Sequence, residues 1–300
     1  MNLNKIQNIG FVIKMRVPEA AQLAVEICQD LMTRGGGIHF AEEAKDIATL
    51  LQEKKNGSKV HVHPKKDLPH HVDLIVVFGG DGTFLSIARH MKDCQVPLLG
   101  VNMGTLGFLT EIKKEEAKKV IDEILEKQSV AVSERALLEV TLVRDGKTVF
   151  QGPVVNDAVI SKGAIARIIG MRLAVNGVHV STVRADGLIV STPTGSTAYN
   201  LAAGGPILVP GTPILAITPI CAHGLTHRPL VVPNDAEIEI QLEHRPGHVL
   251  LTLDGQDAVD LVEGDRVKVR KYQQGNLKIV SSSNRDYFSV LNEKFKFGMR

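Results

Sequence analysis

The stretch VVFGGDGTFL, residues 76–85, places three glycines and one aspartate directly after a run of apolar residues. The apolar run ends at Phe78, and the loop Gly79-Gly80-Asp81-Gly82 follows it. An ordered glycine loses more backbone entropy than any other residue, so this loop is expected to need bare backbone. A helix is predicted from Thr83 to about Met91, which makes the loop a turn from a buried strand into a helix.

The first 131 residues alternate short apolar strands with amphipathic helices. Strands are predicted in NIGFVI (8–13), DLIVVF (73–78) and QVPLLGVN (95–102), and a helix is predicted to begin at Pro18. Strands that are apolar on both faces and alternate with helices are typical of a parallel sheet covered on both sides. We therefore predict an α/β N-terminal domain with helices on both faces of its sheet.

The pattern changes after about residue 131. ALLEVTLVRDGKTVFQGPVV (136–155) contains two β-rich runs joined by Asp145-Gly146, a strong hairpin signal. AEIEIQLEHRPGHVLLTLDG (236–255) and DRVKVRKY (265–272) continue the strand-and-turn pattern. The second half is therefore predicted to be mostly antiparallel β.

Composition and charge exclude several classes of function. A net charge of +2 gives no basic footprint for nucleic acid, and no apolar run reaches the roughly 18 residues that span a bilayer. The three cysteines, Cys28, Cys94 and Cys221, form no CxxC pair, which predicts a chain of the reducing cytoplasm. The histidines are predicted to have solvated or turn roles rather than to bind metal: His61, His63, His70 and His71.

The glycine loop suits phosphate binding. It lies at the carboxyl end of a predicted parallel strand, where ligands bind in open α/β sheets. Glycines let backbone amides approach phosphate oxygens, and a helix N-terminus favours anions. Asp81 repels a phosphate, so it suggests a base for a hydroxyl nucleophile or a magnesium partner. The alternative is a plain strand-to-helix turn with Asp81 as the N-cap.

Three further constellations follow predicted strands. NMGTLGFL (102–109) packs glycines at the end of the next strand, and two such loops would line one crevice. Asn156-Asp157 follows GPVV and suits the paired hydroxyls of a ribose, although a turn explains it equally well. DGLIVSTPTGSTAY (186–199) runs from a strand into hydroxyl residues around Gly195.

Taken together, the motifs resemble those of the NAD kinases, in that family's order, over about residues 8–285: GGDG, NMGTLGFL, RALLEV, NDAVI, DGLIVSTPTGSTAY, AGGPI and THRPL. The resemblance implies an α/β nucleotide-binding domain over residues 1–131 and a β-sandwich-like, dinucleotide-binding domain over 132–279. It also implies that the tail, about 280–300, returns to the first domain.

The resemblance implies transfer of the γ-phosphate of ATP to the 2′-hydroxyl of the adenosine ribose of NAD, giving NADP, with a divalent metal ion (magnesium or manganese). Asp81 would hold and deprotonate that hydroxyl. Gly79, Gly80 and Gly82 would leave room for the diphosphate and the γ-phosphate. No metal ligand is assigned.

The remaining site residues are carried over from the matching motifs. Asn156 and Asp157 match the pair that binds the dinucleotide, and Asp186 matches an acidic residue on the nicotinamide side. Arg184 is either a phosphate ligand or a strand surface residue, and Phe108 packs on a ligand ring or belongs to the core. The segment around adenine and ribose and the other binding candidates are Thr197, Ala198, Tyr199, Thr83, Asn102, Gly104 and Thr194.

The resemblance further implies a homodimer or homotetramer with NAD and ATP as its small-molecule partners. Two alternatives stay open. A lipid or small-alcohol kinase would share the GGDG loop but would need an apolar acceptor site, which the polar PTGSTAY run (193–199) disfavours. A non-catalytic dinucleotide sensor would bind NAD without consuming ATP.

Overall fold

The computed structural model describes residues 6–54, 60–91, 94–163, 167–224, 226–244, 247–281 and 285–296. The chain forms two compact units, Met1–Glu134 with Leu277–Arg300, and Arg135–Asn276. Across the described ranges, no helix has the length and apolar character needed to cross a bilayer.

The helices are α1 (Pro18–Thr33), α2 (Lys45–Lys54), α3 (Asp81–Ala88), α4 (Ala117–Lys127), α5 (Tyr199–Ala202) and α6 (Tyr287–Phe295). The strands are β1 (Asn8–Ile13), β2 (Gly37–Ala41), β3 (Val60–His63), β4 (Leu74–Gly79), β5 (Leu98–Asn102), β6 (Ile112–Lys113), β7 (Val132–Arg144), β8 (Lys147–Val154), β9 (Asp157–Lys162), β10 (Ile169–Val175), β11 (Val178–Ala185), β12 (Gly187–Ser191), β13 (Ile214–Ile220), β14 (Leu230–Pro233), β15 (Ile238–His244), β16 (Val249–Leu253), β17 (Asp257–Leu261) and β18 (Arg266–Val280).

The first unit contains a parallel sheet with the strand order β5-β4-β1-β2-β3. Chain order runs outward from β1 through β2 and β3 on one side and through β4 and β5 on the other, so the strand order reverses between β1 and β4. In open α/β sheets, ligands bind outside the carboxyl ends of the strands at such a reversal. The glycine loop follows β4, the neighbour of β1, and therefore lies at this point of the sheet.

Apolar side chains cover both faces of this sheet. On one face, Phe11 packs against Phe40 and Phe78, with ring centroids 5.5 and 6.2 Å apart, beneath α1, α2 and α4. Side chains of a strand alternate between faces, and Val12 and Ile75, which point the other way, are buried as well. The predicted parallel sheet with helices on both faces is confirmed.

The C-terminal helix α6 belongs to the first unit. Asp286 caps it by accepting a hydrogen bond from the backbone N–H of Ser289 at 2.8 Å, and Ser289 accepts one from the backbone N–H of Asp286 at 3.2 Å. Just before the helix, Arg285 donates to the carbonyl of Glu111 at 2.8 Å and to both carboxylate oxygens of Glu116, at 3.0 and 3.1 Å. These bonds attach the start of α6 to the segment before α4.

The second unit consists of two antiparallel sheets. One has the order β11-β10-β15-β18, with β7 beside β18 and β8 beside β7; the other has the order β14-β13-β12-β9-β16-β17. Leu138 and Met171 from the first sheet share a buried apolar core with Ile160 and Leu251 from the second. The mostly antiparallel, sandwich-like prediction for this half of the chain is therefore confirmed.

The hairpin predicted at Asp145-Gly146 joins β7 and β8. Both residues have positive φ, 50° and 74°, which is the backbone that a tight two-residue hairpin turn requires. The dipeptide was a good signal because Asp and Gly tolerate this conformation better than most residues do.

Candidate active site

Asp81 ties the two glycine loops of the first unit together. Its Oδ2 accepts a hydrogen bond from the backbone N–H of Phe108 at 2.9 Å. Its Oδ1 accepts from the N–H groups of Leu109 and Thr110, at 3.0 and 3.2 Å, and from the Thr110 hydroxyl at 3.2 Å. The alternative in which Asp81 is the N-cap is wrong, because Gly80 occupies that position and α3 begins at Asp81.

Asn102 shapes the second loop from within. Its amide Nδ2 donates to the carbonyl of Thr105 at 2.7 Å and to the hydroxyl of Thr110 at 3.1 Å. Its Oδ1 accepts from the backbone N–H of Gly104 at 2.8 Å. The residue is buried, so these contacts identify it as a support for the loop beside Asp81.

The glycines of these loops fall into two kinds. A Cβ on Gly79 would lie 2.5 Å from Oγ1 of Thr83, so close packing explains this glycine. A Cβ on Gly80, Gly82 or Gly104 would meet no atom within 4 Å. The bare backbone at these three positions is therefore open, and protein packing does not account for it.

A cavity of about 420 Å³ opens at the carboxyl ends of β1, β2 and β4, and Gly80 and Gly82 form part of its wall. Lys14 and Lys65 also line it. Lys65 forms an ion pair with Glu43 and donates to Oγ of Ser86 in α3 at 3.2 Å. Neither lysine belongs to a motif, so the sequence alone does not identify them as site residues; the fold brings both to the glycine loop.

Phe108 packs on α6. Its half-buried ring lies 6.1 Å from the ring centroids of both Tyr287 and Phe295, and Nζ of Lys294 stands 4.7 Å from its centroid. A second cavity, of about 540 Å³, is lined by Asn102 and its loop together with Lys294. Of the two expectations for Phe108, the described contacts match packing within the protein.

In the second unit, Asn156 and Asp157 are buried at the start of β9. The carboxylate of Asp254 accepts hydrogen bonds from three successive N–H groups, those of Val155, Asn156 and Asp157, at 2.8, 2.7 and 3.1 Å. Within the described part of the chain, Oδ1 of Asn156 is buried without a hydrogen-bond partner. Buried acceptors are rarely left unsatisfied, so this oxygen is available to a donor that the described part of the chain does not supply.

The environment of Asp157 favours its neutral form. Burial raises the pKa of its carboxyl from 3.8 to about 7, and the nearby charge of Asp254 contributes in the same direction. Both causes oppose the ionised state, since a buried charge loses hydration and a like charge repels it. Asp157 therefore changes its protonation state near neutral pH.

The TPTGSTAY segment packs directly on Asn156. A Cβ on Gly195 would lie 2.2 Å from the carbonyl oxygen of Asn156, so only glycine fits there. The backbone N–H of Thr192 donates to that same oxygen at 2.8 Å, and its hydroxyl donates to the carbonyl of Val155 at 2.6 Å. The end of β12 thus holds residues 155–156 in place.

The other predicted residues of this unit lie along the same segment or next to β12. Thr194 is buried and Thr197 is half-buried, whereas Ala198 and Tyr199 are exposed. Further candidates on neighbouring strands differ in their contacts. Asp186 forms an ion pair with Nζ of Lys162 at 2.9 Å, and Arg184 is an exposed side chain on β11.

Histidines cluster on one face of β2 and β3. Nδ1 of His39 lies 2.9 Å from Nε2 of His63, whose ring stacks on His71 with centroids 4.1 Å apart. Burial and the neighbouring histidines lower the pKa of His39 to about 4. His39 was absent from the sequence-predicted group, while His70 contacts Sγ of Cys94 at 3.4 Å. Among the described residues, no group of three or more His, Cys, Asp or Glu side chains is arranged to hold a metal ion.

A glycine loop at the point where the strand order of a parallel sheet reverses is typical of α/β proteins that bind a ligand there. Residues 9–129 match the family described as the ATP-NAD kinase N-terminal domain, and residues 155–281 match the ATP-NAD kinase C-terminal domain. The chain belongs to the ATP-NAD kinase family, and it is an enzyme of the kinase class.

Individual relatives agree with this assignment. The chain is 43% identical to an NAD kinase of Geotalea daltonii over 98% of its own length and all of that protein. It is 46% identical to an NAD kinase of Geobacter sulfurreducens over 86% of its length and 91% of that protein. Among solved structures, yeast NADH kinase complexed with NADH gives a TM-score of 0.90 at 28% identity, over 99% of this chain and 89% of that one. An NAD kinase from Archaeoglobus fulgidus in complex with ATP gives 0.69 at 25% identity, over 97% and 100%.

Proposed function

We propose that this protein transfers the γ-phosphate of ATP to the 2′-hydroxyl of the adenosine ribose of NAD, which gives NADP. The observation that carries the proposal is the carboxylate of Asp81, held in a fixed orientation between the open backbone of Gly80 and Gly82. A fixed acceptor beside space for phosphates is what an alcohol-directed kinase needs. The relatives complexed with NADH and with ATP support the two substrates.

Phosphoryl transfer depends mainly on positioning and charge neutralisation. The open amides at the start of α3 would bind phosphate oxygens. Lys14 adds positive charge to the cavity beside them, whereas the charge of Lys65 is paired with that of Glu43 on the same wall. Gly79 would serve by allowing Thr83 to pack closely behind the loop. We therefore assign this part of the first unit to the phosphates of the reaction.

Asp81 would accept the proton of the 2′-hydroxyl. A carboxylate offers about four lone-pair sites, and among the described residues Oδ2 of Asp81 accepts only the bond from Phe108. Oδ2 therefore keeps capacity for the hydroxyl, while the donors on Oδ1 hold the group in place. A base acts when it comes within about 2.6–3.2 Å of the oxygen it deprotonates.

The dinucleotide would bind to the second group of residues. Oδ1 of Asn156 would accept from a hydroxyl or amide of the dinucleotide, which would satisfy the buried oxygen. Asp157 would bind beside it, and exposed Tyr199 would pack on a ring of the ligand. The other assigned contacts are those of Asp186, Arg184, Thr194, Thr197 and Ala198, with Gly104 in the first unit. Asn102 and Phe108 would act indirectly, by holding the second glycine loop in place.

A divalent metal, magnesium or manganese, would enter with ATP. Magnesium in kinases is held by one or two carboxylates together with substrate phosphates rather than by an all-protein cage. The glycine loop fits that mode, because the carboxylate of Asp81 lies beside the open backbone that we assign to the phosphates. When bound, the ion would neutralise charge on the phosphates.

The assay is direct. The purified protein is incubated with NAD, ATP and magnesium, and NADP is measured with an NADP-specific dehydrogenase. We expect NADP to form and to require all three additions. NAD binding without NADP, also when NADH and polyphosphate are tried, would favour the sensor alternative; activity on diacylglycerol micelles without activity on NAD would favour a lipid kinase.

The proposal includes a cytoplasmic homodimer or homotetramer. Across the described residues, Cys28, Cys94 and Cys221 form no disulfide, and proteins of a reducing compartment rarely contain one. Val178 and Val180 on the edge strand β11 are 67% and 45% exposed, and an exposed apolar edge strand is a typical association surface. Light scattering after size-exclusion chromatography would measure the oligomeric state of the wild-type protein and of Val178→Lys.

A further inference from the structure

The carboxylate of Asp254 is buried in the second unit and lies against the backbone of Asn156 and Asp157. We propose that Asp254 is a positioning residue, which holds the Asn156-Asp157 pair in the orientation that binds the dinucleotide. The inference rests on the proposed function, since it concerns how that pair is set for NAD.

Asp254 binds residues 155–157 both through its backbone and through its side chain. Asp254 lies in the turn between β16 and β17, where Asp254 and Gly255 both have positive φ, 51° and 64°. Its backbone N–H donates to the carbonyl of Asp157 at 3.0 Å, while its side chain accepts the three N–H groups of residues 155–157. The turn thereby fixes both the donors and an acceptor of this segment.

Three successive backbone N–H groups depend on the carboxylate of Asp254 as their hydrogen-bond acceptor. Val155, Asn156 and Asp157 are all buried, and a buried amide without an acceptor costs more than a typical hydrogen bond contributes. On the other side, Thr192 and Gly195 hold the carbonyl of Asn156. Removing Asp254 would therefore release one side of the pair while the other stays fixed.

Asp254 also acts on Asp157 through its charge. Together with burial, it raises the pKa of Asp157. The facing residue on β12, Ser191, is uncharged, and Lys162 at the far end of β9 is paired with Asp186. Replacing Asp254 by a neutral residue would therefore lower the pKa of Asp157. Any pH dependence of NAD binding that follows Asp157 would move to lower pH.

The test variant is Asp254→Asn, which keeps the size and removes the charge. We expect the KM for NAD to rise at least about tenfold, because one acceptor oxygen is replaced by a donor facing N–H groups. The kcat and the KM for ATP should change less than about threefold, since Asp81 and the glycine loop are untouched. The midpoint of the pH profile of the KM for NAD should shift downward.

Asp265→Asn is the matched control. Asp265 is a buried carboxylate of the same unit that accepts the N–H of Val262 at 2.8 Å and pairs with Arg144 at 2.8 Å. It should lower the unfolding temperature without moving the KM for NAD or the pH midpoint. A folded Asp254→Asn protein with wild-type KM and pH midpoint would overturn the inference.

Two further variants distinguish a failure of the positioning role from a failure of the pair or of the proposed function. Asp254→Glu retains the charge but moves the carboxylate by one methylene. It should therefore raise the KM for NAD while the pH midpoint stays near that of wild type. A wild-type KM for NAD in this variant would also contradict the positioning role of Asp254. Asp157→Asn tests the pair itself. If it leaves the KM for NAD unchanged, the role assigned to the pair fails, whereas absence of NADP formation by wild type refutes the proposed function.

Discussion

Gly107 lies so close to Asp81 that a Cβ atom on the glycine would stand 2.0 Å from Oδ1 of the carboxylate. The same Cβ would stand 2.3 Å from Oγ1 of Thr110. The last glycine of NMGTLGFL is therefore needed because a side chain at this position would keep the Asp81 carboxylate from the loop backbone. The two glycine motifs are parts of one hydrogen-bonded assembly.

Gly107→Ala should displace the carboxylate of Asp81. We expect a loss of stability of about 1–3 kcal/mol, as is typical of overpacking, and a large fall in kcat. Chemical denaturation and the NADP assay measure the two effects. Gly104→Ala is the control for stability, because a Cβ at Gly104 meets no atom within 4 Å. Equal destabilisation by both substitutions would contradict the close contact.

Asp81→Asn should lower kcat by about 10²–10⁴-fold if the carboxylate is the base. It should also lower the unfolding temperature, because an amide nitrogen would face some of the N–H groups that the carboxylate now accepts. Steady-state kinetics and thermal unfolding are measured together. Thr110→Val removes one bond to Oδ1 but leaves the carboxylate, so its kcat should fall far less. Turnover at the wild-type rate in Asp81→Asn would remove Asp81 from the mechanism.

Arg285→Ala should destabilise the first unit by about 1–2 kcal/mol at neutral pH, since a partly buried charge-assisted pair and one carbonyl bond are lost. The bond to Arg285 lowers the pKa of Glu116 from its ordinary value of 4.5. The difference between wild type and variant should therefore shrink as pH falls below that value. Denaturant titrations at several pH values measure it.

The control for Arg285 is Lys114→Ala. Lys114 pairs with Glu19 at 3.1 Å, and both side chains are largely exposed. An exposed pair contributes little, so this substitution should leave the unfolding midpoint unchanged. A similar effect of the two substitutions would mean that the Arg285 pair is an ordinary surface pair.

His39 should make the protein less stable in mild acid. Burial and then His61, His63 and His71 lower its pKa from 6.5 to about 4, with Asp73 acting in the opposite direction. The unfolded chain therefore takes up a proton near 6.5 that the folded chain resists, and the free energy of unfolding falls as pH drops from 6.5 toward 4.

The variant for this prediction is His39→Gln, whose unfolding free energy should depend less on pH across that interval. His248→Gln is the control, because His248 is exposed and lies outside the cluster. Equilibrium unfolding in urea, followed at half-unit pH steps, compares the slopes. A His39→Gln profile parallel to wild type would show that the cluster does not govern the acid response.

Much of the fold could be predicted because its signals are local. The apolar run before Gly79 is β4, Pro18 begins α1, and Asp145-Gly146 joins β7 and β8. The sequence predicts that α3 begins at Thr83, two residues after its actual start at Asp81. The N–H groups of residues 83 and 84 both donate to the carbonyl of Gly80, so the helix includes the aspartate of the loop, which periodicity of apolar residues cannot reveal.

The supports of the candidate site could not be predicted in the same way. Asp81 binds amides 27 to 29 residues further along the chain, and Asp254 binds amides 97 to 99 residues away. A single sequence gives Asp254-Gly255 only as a turn. Motif glycines located the site, but the fold alone shows which carboxylates hold it together.

The first unit is made from two stretches of chain, with the whole of the second unit between them in sequence. Ile279 pairs with Leu98 at the edge of the parallel sheet, and Arg285 binds Glu116. On the ribosome, Arg285 emerges 169 residues after Glu116, and the separation of Ile279 from Leu98 is similar. Most of the first unit is therefore synthesised early, but the unit is completed late. A premature stop after residue 276 would leave it incomplete, although every glycine of its loops had already been translated.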